Sequence, residues 1–173
     1  TGTYALYESL NINESQINSI REFCKKYLIK EQKYISAFVI FNELKKQDHV
    51  YEKYGDVDNG HIFFGVCQDG ESFITRKGFM IGLNSFNFKG EYMSLTREIV
   101  NLMKIEQRPL RVREIIDKLS ATRYLTHSSM QGVFESGNSG VFEKIGNSYF
   151  LVGNRSHLEI DDTDFFEVEF DEI

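Results

Sequence analysis

The second half of the chain shows apolar residues at helical spacing in three successive segments. Ser94 is positioned to cap the first helix, which ends before Pro109. The second helix has a stripe at i, i+3, i+4 and i+7, formed by Val112, Ile115, Ile116 and Leu119. A third, shorter helix follows Thr126 and directs three apolar side chains inward: Met130, Val133 and Phe134. The pattern predicts three helices between residues 94 and 135.

A two-stranded hairpin is predicted directly after these helices. Residues 137–140 read Gly-Asn-Ser-Gly and end the third helix. The segment "VFEKIGNSYFLV" then gives a strand at 141–145, a turn at 146–148 and a strand at 149–152. A brief extended piece at 109–111 separates the first two helices. The order is therefore helix, short strand, helix, helix, hairpin.

The first half of the chain repeats this order. Asn13 is placed to cap a helix that begins at about Glu14, and Ser36 is placed to cap a second helix. After a polar connection at 45–59, a short helix and a hairpin follow. The helix contains Phe63-x-Gly65-Val66-Cys67, which matches Met130-x-Gly132-Val133-Phe134 in spacing, and the hairpin strands are Ser72–Thr75 and Phe79–Leu83. This repetition predicts two domains of one kind in tandem.

The predicted boundaries divide the chain into five parts. They are an N-terminal strand at 1–13, a first unit at 14–83, an aromatic linker at 84–93, a second unit at 94–153 and an acidic tail at 154–173. The N-terminal strand either closes a preceding unit or pairs with a nearby hairpin. Since the sequence begins with Thr1 rather than Met, we expect it to belong to a longer protein.

Both units resemble winged-helix domains, which are helix-turn-helix modules closed by a β-hairpin wing. The segment "VFEKIGNSYFLV" is similar to the wing of bacterial modules of the HARE-HTH type, as in the RNA polymerase delta subunit. The resemblance implies an α+β, mostly helical fold with two tandem winged-helix domains, each with a small β-hairpin wing. It also implies binding to double-stranded DNA.

The charge of the chain is unevenly distributed. The net charge is −6, but residues 94–155 hold nine Lys and Arg against six acids, whereas residues 156–173 hold eight acids and no Lys or Arg. The second unit is therefore mildly basic and the tail strongly acidic. No secretory leader or long apolar run is visible, and Cys24 and Cys67 favour buried thiols in a reducing compartment. We expect a cytoplasmic protein without membrane contact.

Sequence signatures of catalysis are absent. The four histidines show no metal-ligand spacing, and the common phosphate-binding and nucleophile motifs do not occur. We therefore expect no metal, no cofactor and no enzymatic activity.

The resemblance also implies which residues would contact DNA. The third helix of a winged helix enters the major groove, and the wing contacts the backbone or the minor groove. In the second unit these positions, with the basic residues around them, are Arg108, Arg111, Arg113, Arg123, Thr126, His127, Ser128, Ser129, Gln131, Lys144 and Asn147.

The first unit departs from this pattern. On the corresponding helix, Ile62 and Phe64 are predicted to face outward, and Asp56 and Asp58 precede it. Apolar exposure favours a protein partner, and acids oppose phosphate. Phe166, Val168 and Phe170 of the tail alternate with acids, which suits a docking segment or a charged, unstructured end. The preferred function is a DNA-binding module of a larger transcription, replication or genome-defence protein. The alternative is a winged-helix scaffold for protein interaction in a polymerase-like or regulatory complex.

Overall fold

A computed structural model describes residues 12–55, 57, 59–135 and 140–154. The chain divides into two compact units. Unit 1 comprises the chain up to Tyr92 together with Ala121–Arg123, and unit 2 comprises the remainder from Met93. The fold class is α+β, with more helix than strand among the described residues.

The described part of unit 1 contains four helices. They are α1 (Glu14–Glu31), α2 (Ala37–Leu44), α3 (Val50–Tyr54) and α4 (Gly60–Gln68). The expected cap of α1 is confirmed. The Asn13 side chain accepts from the backbone N–H of Gln16 and the Gln16 side chain accepts from that of Asn13, both at 2.9 Å. Helix α3 corrects the prediction of a plain polar connection at 45–59.

The strands of unit 1 form one small antiparallel sheet. Strand β1 (Ile35–Ser36) pairs with β3 (Met80–Leu83), which pairs in turn with β2 (Phe73–Arg76). On the other side of β1, the Ser36 N–H donates to the carbonyl oxygen of Thr122 at 2.8 Å. Residues 121–123, which lie between two helices of unit 2 in sequence, therefore belong to the sheet edge of unit 1.

The core of unit 1 lies among the helices and one face of the sheet. Its fully buried side chains include Ile20, Leu28, Ile40, Phe63 and Ile81. Two free thiols, Cys24 and Cys67, are also buried in this core. Burial raises the pKa of Cys24, and a hydrogen bond with the Cys67 thiol raises it further. Both cysteines thus behave as small apolar side chains.

Unit 2 repeats the order of elements found in unit 1, without a counterpart of α3. It consists of α5 (Leu95–Glu106), α6 (Val112–Leu119), α7 (His127–Glu135), β4 (Phe142–Ile145) and β5 (Ser148–Leu151). Between α5 and α6, Leu110 exchanges two backbone hydrogen bonds with Tyr149 of β5, at 2.9 and 2.8 Å. This bridge corresponds to the pairing of β1 with β3 in unit 1.

The core of unit 2 is closed by aromatic packing between α7 and the hairpin. The Phe134 ring stacks on Tyr149 with a centroid separation of 4.0 Å and meets Phe142 edge-on at 5.0 Å. Met130 and Phe134 are buried as predicted, and Val133 is half-buried against the same cluster. These contacts join the last helix to both strands of the hairpin.

The predicted aromatic linker packs on unit 1. The Tyr34 ring meets those of Phe88 and Tyr92 edge-on, at centroid separations of 5.6 and 5.7 Å. The Gln32 side chain also donates to Asn87 O and accepts from Lys89 N. The predicted N-terminal strand at 1–13 lies almost wholly outside the described residues, as does the acidic tail.

We expect the Phe134→Ala variant to lose about 3–5 kcal/mol from the free energy of unfolding of unit 2, because it removes a ring packed between α7 and the hairpin. The matched control is Phe86→Ala, since the Phe86 side chain is 83% exposed and its removal is expected to cost under about 0.5 kcal/mol. Urea denaturation of the two variants measures the difference. Equal stabilities would contradict the described packing of α7.

Candidate nucleic-acid interface

The start of α6 carries the densest group of basic side chains in the described part of unit 2. Arg111 and Arg113 are exposed there, and Pro109 and Arg108 precede them. A groove of about 410 Å³ runs past this point. Its lining consists of Arg108, Pro109, Arg111, Arg113, Glu114, Asp117 and Ser148. The groove thus combines the start of α6 with the first residue of β5.

Arg108 is held by acidic neighbours within this basic group. Its Nη2 lies 2.9 Å from a carboxylate oxygen of Glu114 and 3.4 Å from one of Glu106. Glu106 also accepts from Lys118 Nζ at 2.6 Å. The Glu114 hydrogen bond raises the pKa of the Arg108 guanidinium. The positive charge of Arg108 is therefore largely neutralised by these two glutamates.

The two acids of this network are correspondingly stabilised in their charged forms. The Lys118 hydrogen bond lowers the pKa of Glu106. The backbone N–H of Arg111, at 2.9 Å, and then the Arg108 side chain lower the pKa of Glu114. Within the described part of the chain, the guanidinium groups of Arg111 and Arg113 form no ion pair. These two arginines remain available to an anionic ligand.

Two of the predicted DNA contacts on α7 cap that helix instead. The Ser129 hydroxyl donates to Thr126 O at 2.9 Å and accepts from Thr126 N at 3.0 Å. The Thr126 hydroxyl oxygen in turn accepts from Ser129 N at 3.2 Å. Both side chains are half-buried and bonded to each other, so capping is the role that the structure describes for them, and their contact with DNA stays a prediction.

The outer face of α7 keeps three of the predicted polar residues: His127, Ser128 and Gln131. The Gln131 amide donates to the Glu135 carboxylate at 3.0 and 3.1 Å. No Lys or Arg lies on α7. The helix therefore offers few groups that could read base edges and none that carries a fixed positive charge.

The tip of the unit 2 hairpin presents the remaining two predicted contacts. Lys144 lies at the end of β4 and Asn147 lies in the turn, and both are exposed. Gly146 between them has a left-handed backbone with φ of 61°. Lys144 thus adds one exposed cation to those of α6.

Arg123 does not belong to this surface. Only 5% of the residue is exposed, and its guanidinium lies beside Gly78 in unit 1. The prediction of a phosphate contact by Arg123 is wrong, because the loop that carries it packs into unit 1.

The predicted partner face of unit 1 is also partly corrected. Ile62 is only 8% exposed and belongs to the core, since it shares the inner face of α4 with Val66 one turn later. Phe64 is half-buried, and its ring meets that of Phe79. The two acids that precede α4, Asp56 and Asp58, lie outside the described residues.

An aromatic cluster that sequence reasoning missed surrounds Phe79. The rings of Phe38, His61 and Phe64 all contact Phe79. One signal was present in the sequence, because a phenylalanine directly follows the turn glycine Gly78, where asparagine or glycine is usual. The predicted tail contacts Phe166, Val168 and Phe170 lie outside the described residues.

No group of three or more His, Cys, Asp or Glu side chains in the described ranges is arranged to hold a metal ion. In the same ranges, no helix combines the length and apolarity needed to cross a bilayer. Comparisons of the chain with protein-family models, with curated proteins and with solved structures find no match.

We expect Ser129→Ala to destabilise unit 2 by about 1 kcal/mol, because the variant removes the hydroxyl that bonds back to the Thr126 backbone and completes the cap of α7. The neighbouring Ser128→Ala is the matched control and is expected to leave stability unchanged, since Ser128 is exposed. Thermal unfolding followed by circular dichroism measures both variants. A destabilised Ser128→Ala with an unchanged Ser129→Ala would contradict the described cap.

Proposed function

We propose that both units are winged-helix domains and that unit 2 binds double-stranded DNA. The order of elements supports the fold proposal, as does the pairing of a short extended piece with the last hairpin strand in each unit. In this proposal α7 is the recognition helix of unit 2 and β4–β5 is its wing.

The pair of exposed arginines at the start of α6 supports the DNA proposal most directly. Arg111 and Arg113 have no ion-pair partner among the described residues, and Lys144 adds a third exposed cation in the wing. Phosphate contacts of this kind supply most of the affinity of a protein for DNA. The groove beside the two arginines leaves space for a phosphate group to approach.

This interface would bind DNA with weak sequence preference. Base readout requires side chains that reach base edges, and α7 contributes only His127, Ser128 and Gln131 after the two capping residues are removed. Gln131 would also have to leave Glu135 before it could pair with a base. We therefore propose that recognition relies on the phosphate backbone.

Unit 1 is less suited to DNA. The outward side of α4 is covered by aromatic contacts between His61, Phe64 and Phe79. Its hairpin provides only Arg76 and Lys77 as cations. A module of a larger transcription, replication or genome-defence protein would then use unit 2 for DNA.

We expect the double variant Arg111→Ala/Arg113→Ala to weaken binding to all duplex sequences alike, because it removes two phosphate contacts. With Arg111, Arg113 and Lys144 engaged, log affinity against log salt should have a slope of about −3, and the variant should flatten it by about two. The measurement is a titration of labelled duplex with the full chain at several salt concentrations.

The matched control for this titration is Arg76→Ala/Lys77→Ala, which removes the same charge from the hairpin of unit 1. It is expected to leave the slope unchanged. The proposal fails if the full chain does not bind duplex DNA at low salt, or if the control weakens binding as much as the unit 2 variant.

We expect Glu114→Gln to strengthen DNA binding by about threefold at low salt, because it removes the shorter of the two exposed ion pairs of Arg108 and leaves the one with Glu106. Glutamine still accepts the hydrogen bond from Arg111 N that the glutamate accepts, so α6 keeps its cap. The matched control Glu22→Gln removes the same charge from an exposed position of α1 and should have no effect on DNA binding. Equal gains in both variants would show that only the net charge matters.

A further inference from the structure

Four aromatic side chains form a continuous patch on unit 1, which we call the aromatic surface: Phe38, His61, Phe64 and Phe79. The Phe79 ring lies at the centre, with centroid separations of 5.4 Å to Phe38, 5.0 Å to His61 and 5.2 Å to Phe64. The planes cross at 83–89°. Phe79 nevertheless stays 36% exposed, so the patch is accessible from outside.

The backbone conformation at Phe79 is one that a bulky residue rarely adopts. Gly78 and Phe79 both have left-handed conformations, with φ of 72° and 55°. A residue with a bulky side chain is disfavoured there, whereas glycine adopts this conformation readily and asparagine tolerates it. In the turn of the unit 2 hairpin, the left-handed residue is Gly146, with φ of 61°. The chain thus keeps a partly exposed aromatic ring at a position where smaller residues are favoured, which is typical of functional sites.

Two cations stand directly beside this ring in the chain. Arg76 and Lys77 precede Gly78 and are both exposed. The Arg76 guanidinium donates to Thr75 O at 3.1 Å and forms no ion pair within the described ranges. Arg76 therefore gives the aromatic surface an exposed cation at its border, which complements an acidic ligand with apolar side chains.

The geometry of the rings favours a peptide over a nucleic acid. Single-stranded nucleic acid needs aromatic faces on which bases can stack, together with a basic groove along the backbone. Here the rings of Phe38, His61 and Phe64 each meet Phe79 edge to face, so neighbouring rings cover part of the aromatic faces. Two adjacent cations also make a short border rather than a groove. Phenylalanine side chains, in contrast, pack well on such edges and faces.

The chain itself contains a segment with the complementary chemistry. Residues 158–173 hold eight acids, no Lys or Arg, and the three aromatic residues Phe165, Phe166 and Phe170. We propose that the aromatic surface of one molecule binds the 158–173 segment of a second copy of this chain. Phenylalanine side chains of the segment contact Phe79 and its neighbours, and its carboxylates pair with Arg76.

The test uses the full chain and the variant Phe79→Asn. The lost ring contacts and the relieved left-handed strain change stability in opposite directions, so thermal unfolding is measured first and the comparison is made where both proteins are folded. Sedimentation velocity over a concentration series should show salt-sensitive self-association of the wild type. In Phe79→Asn it should be weakened by about tenfold, the loss expected for an aromatic anchor.

Two further experiments test whether the 158–173 segment is the ligand of the aromatic surface. The double variant Phe166→Ser/Phe170→Ser should weaken association as much as Phe79→Asn, whereas Phe86→Ala, which removes an exposed ring elsewhere on unit 1, should leave it unchanged. A synthetic peptide of residues 158–173 should bind the wild-type chain and dissociate the complex. A chain that stays monomeric at all concentrations, a peptide that binds Phe79→Asn equally well, or displacement by a single-stranded oligonucleotide alone would each overturn the proposal.

Discussion

Two backbone hydrogen bonds between Leu110 and Tyr149 join the helices of unit 2 to its hairpin. The side chains of the same two residues extend this connection, because Leu110 is fully buried and the Tyr149 ring stacks on Phe134 of α7. One bridge therefore links the loop before α6, the last helix and β5. The position of Lys144 relative to α7, and with it the proposed interface, depends on this bridge.

The two units differ in their exposed side chains even though their helices and strands follow the same order. In unit 2, Arg108 and Lys118 form ion pairs with glutamates. Arg111 and Arg113 are exposed and line a groove. In unit 1, ring contacts cover the outward side of α4, and the cations are confined to the hairpin turn. Similar orders of elements thus present exposed arginines in one unit and an aromatic surface in the other.

Local sequence signals predicted most elements, since caps and turns depend on neighbouring residues. Asn13 and Ser94 cap α1 and α5 as expected, and both hairpins lie close to the predicted bounds. Helix α3 was missed although Val50 and Tyr54 have i, i+4 spacing, because its single turn is short and its surroundings are polar. Ile62 was predicted on the outer face of α4. The packing of α4 within the core of unit 1 shows that this side chain points inward. The burial of Arg123 and the bonds of Ser129 depend on tertiary contacts and side-chain geometry that residue type alone does not reveal.

The loop between α6 and α7 has a consequence for how this chain can be divided. Thr122 supplies the acceptor for Ser36 N, and Arg123 lies beside the turn of the unit 1 hairpin. A fragment that ends at Tyr92 would therefore leave the β1 edge with an unpaired backbone donor. Unpaired strand edges template association with other chains. The boundary between the units is thus not a single point in the sequence, and the segment that completes the first unit is encoded about thirty residues beyond that unit's last aromatic residue.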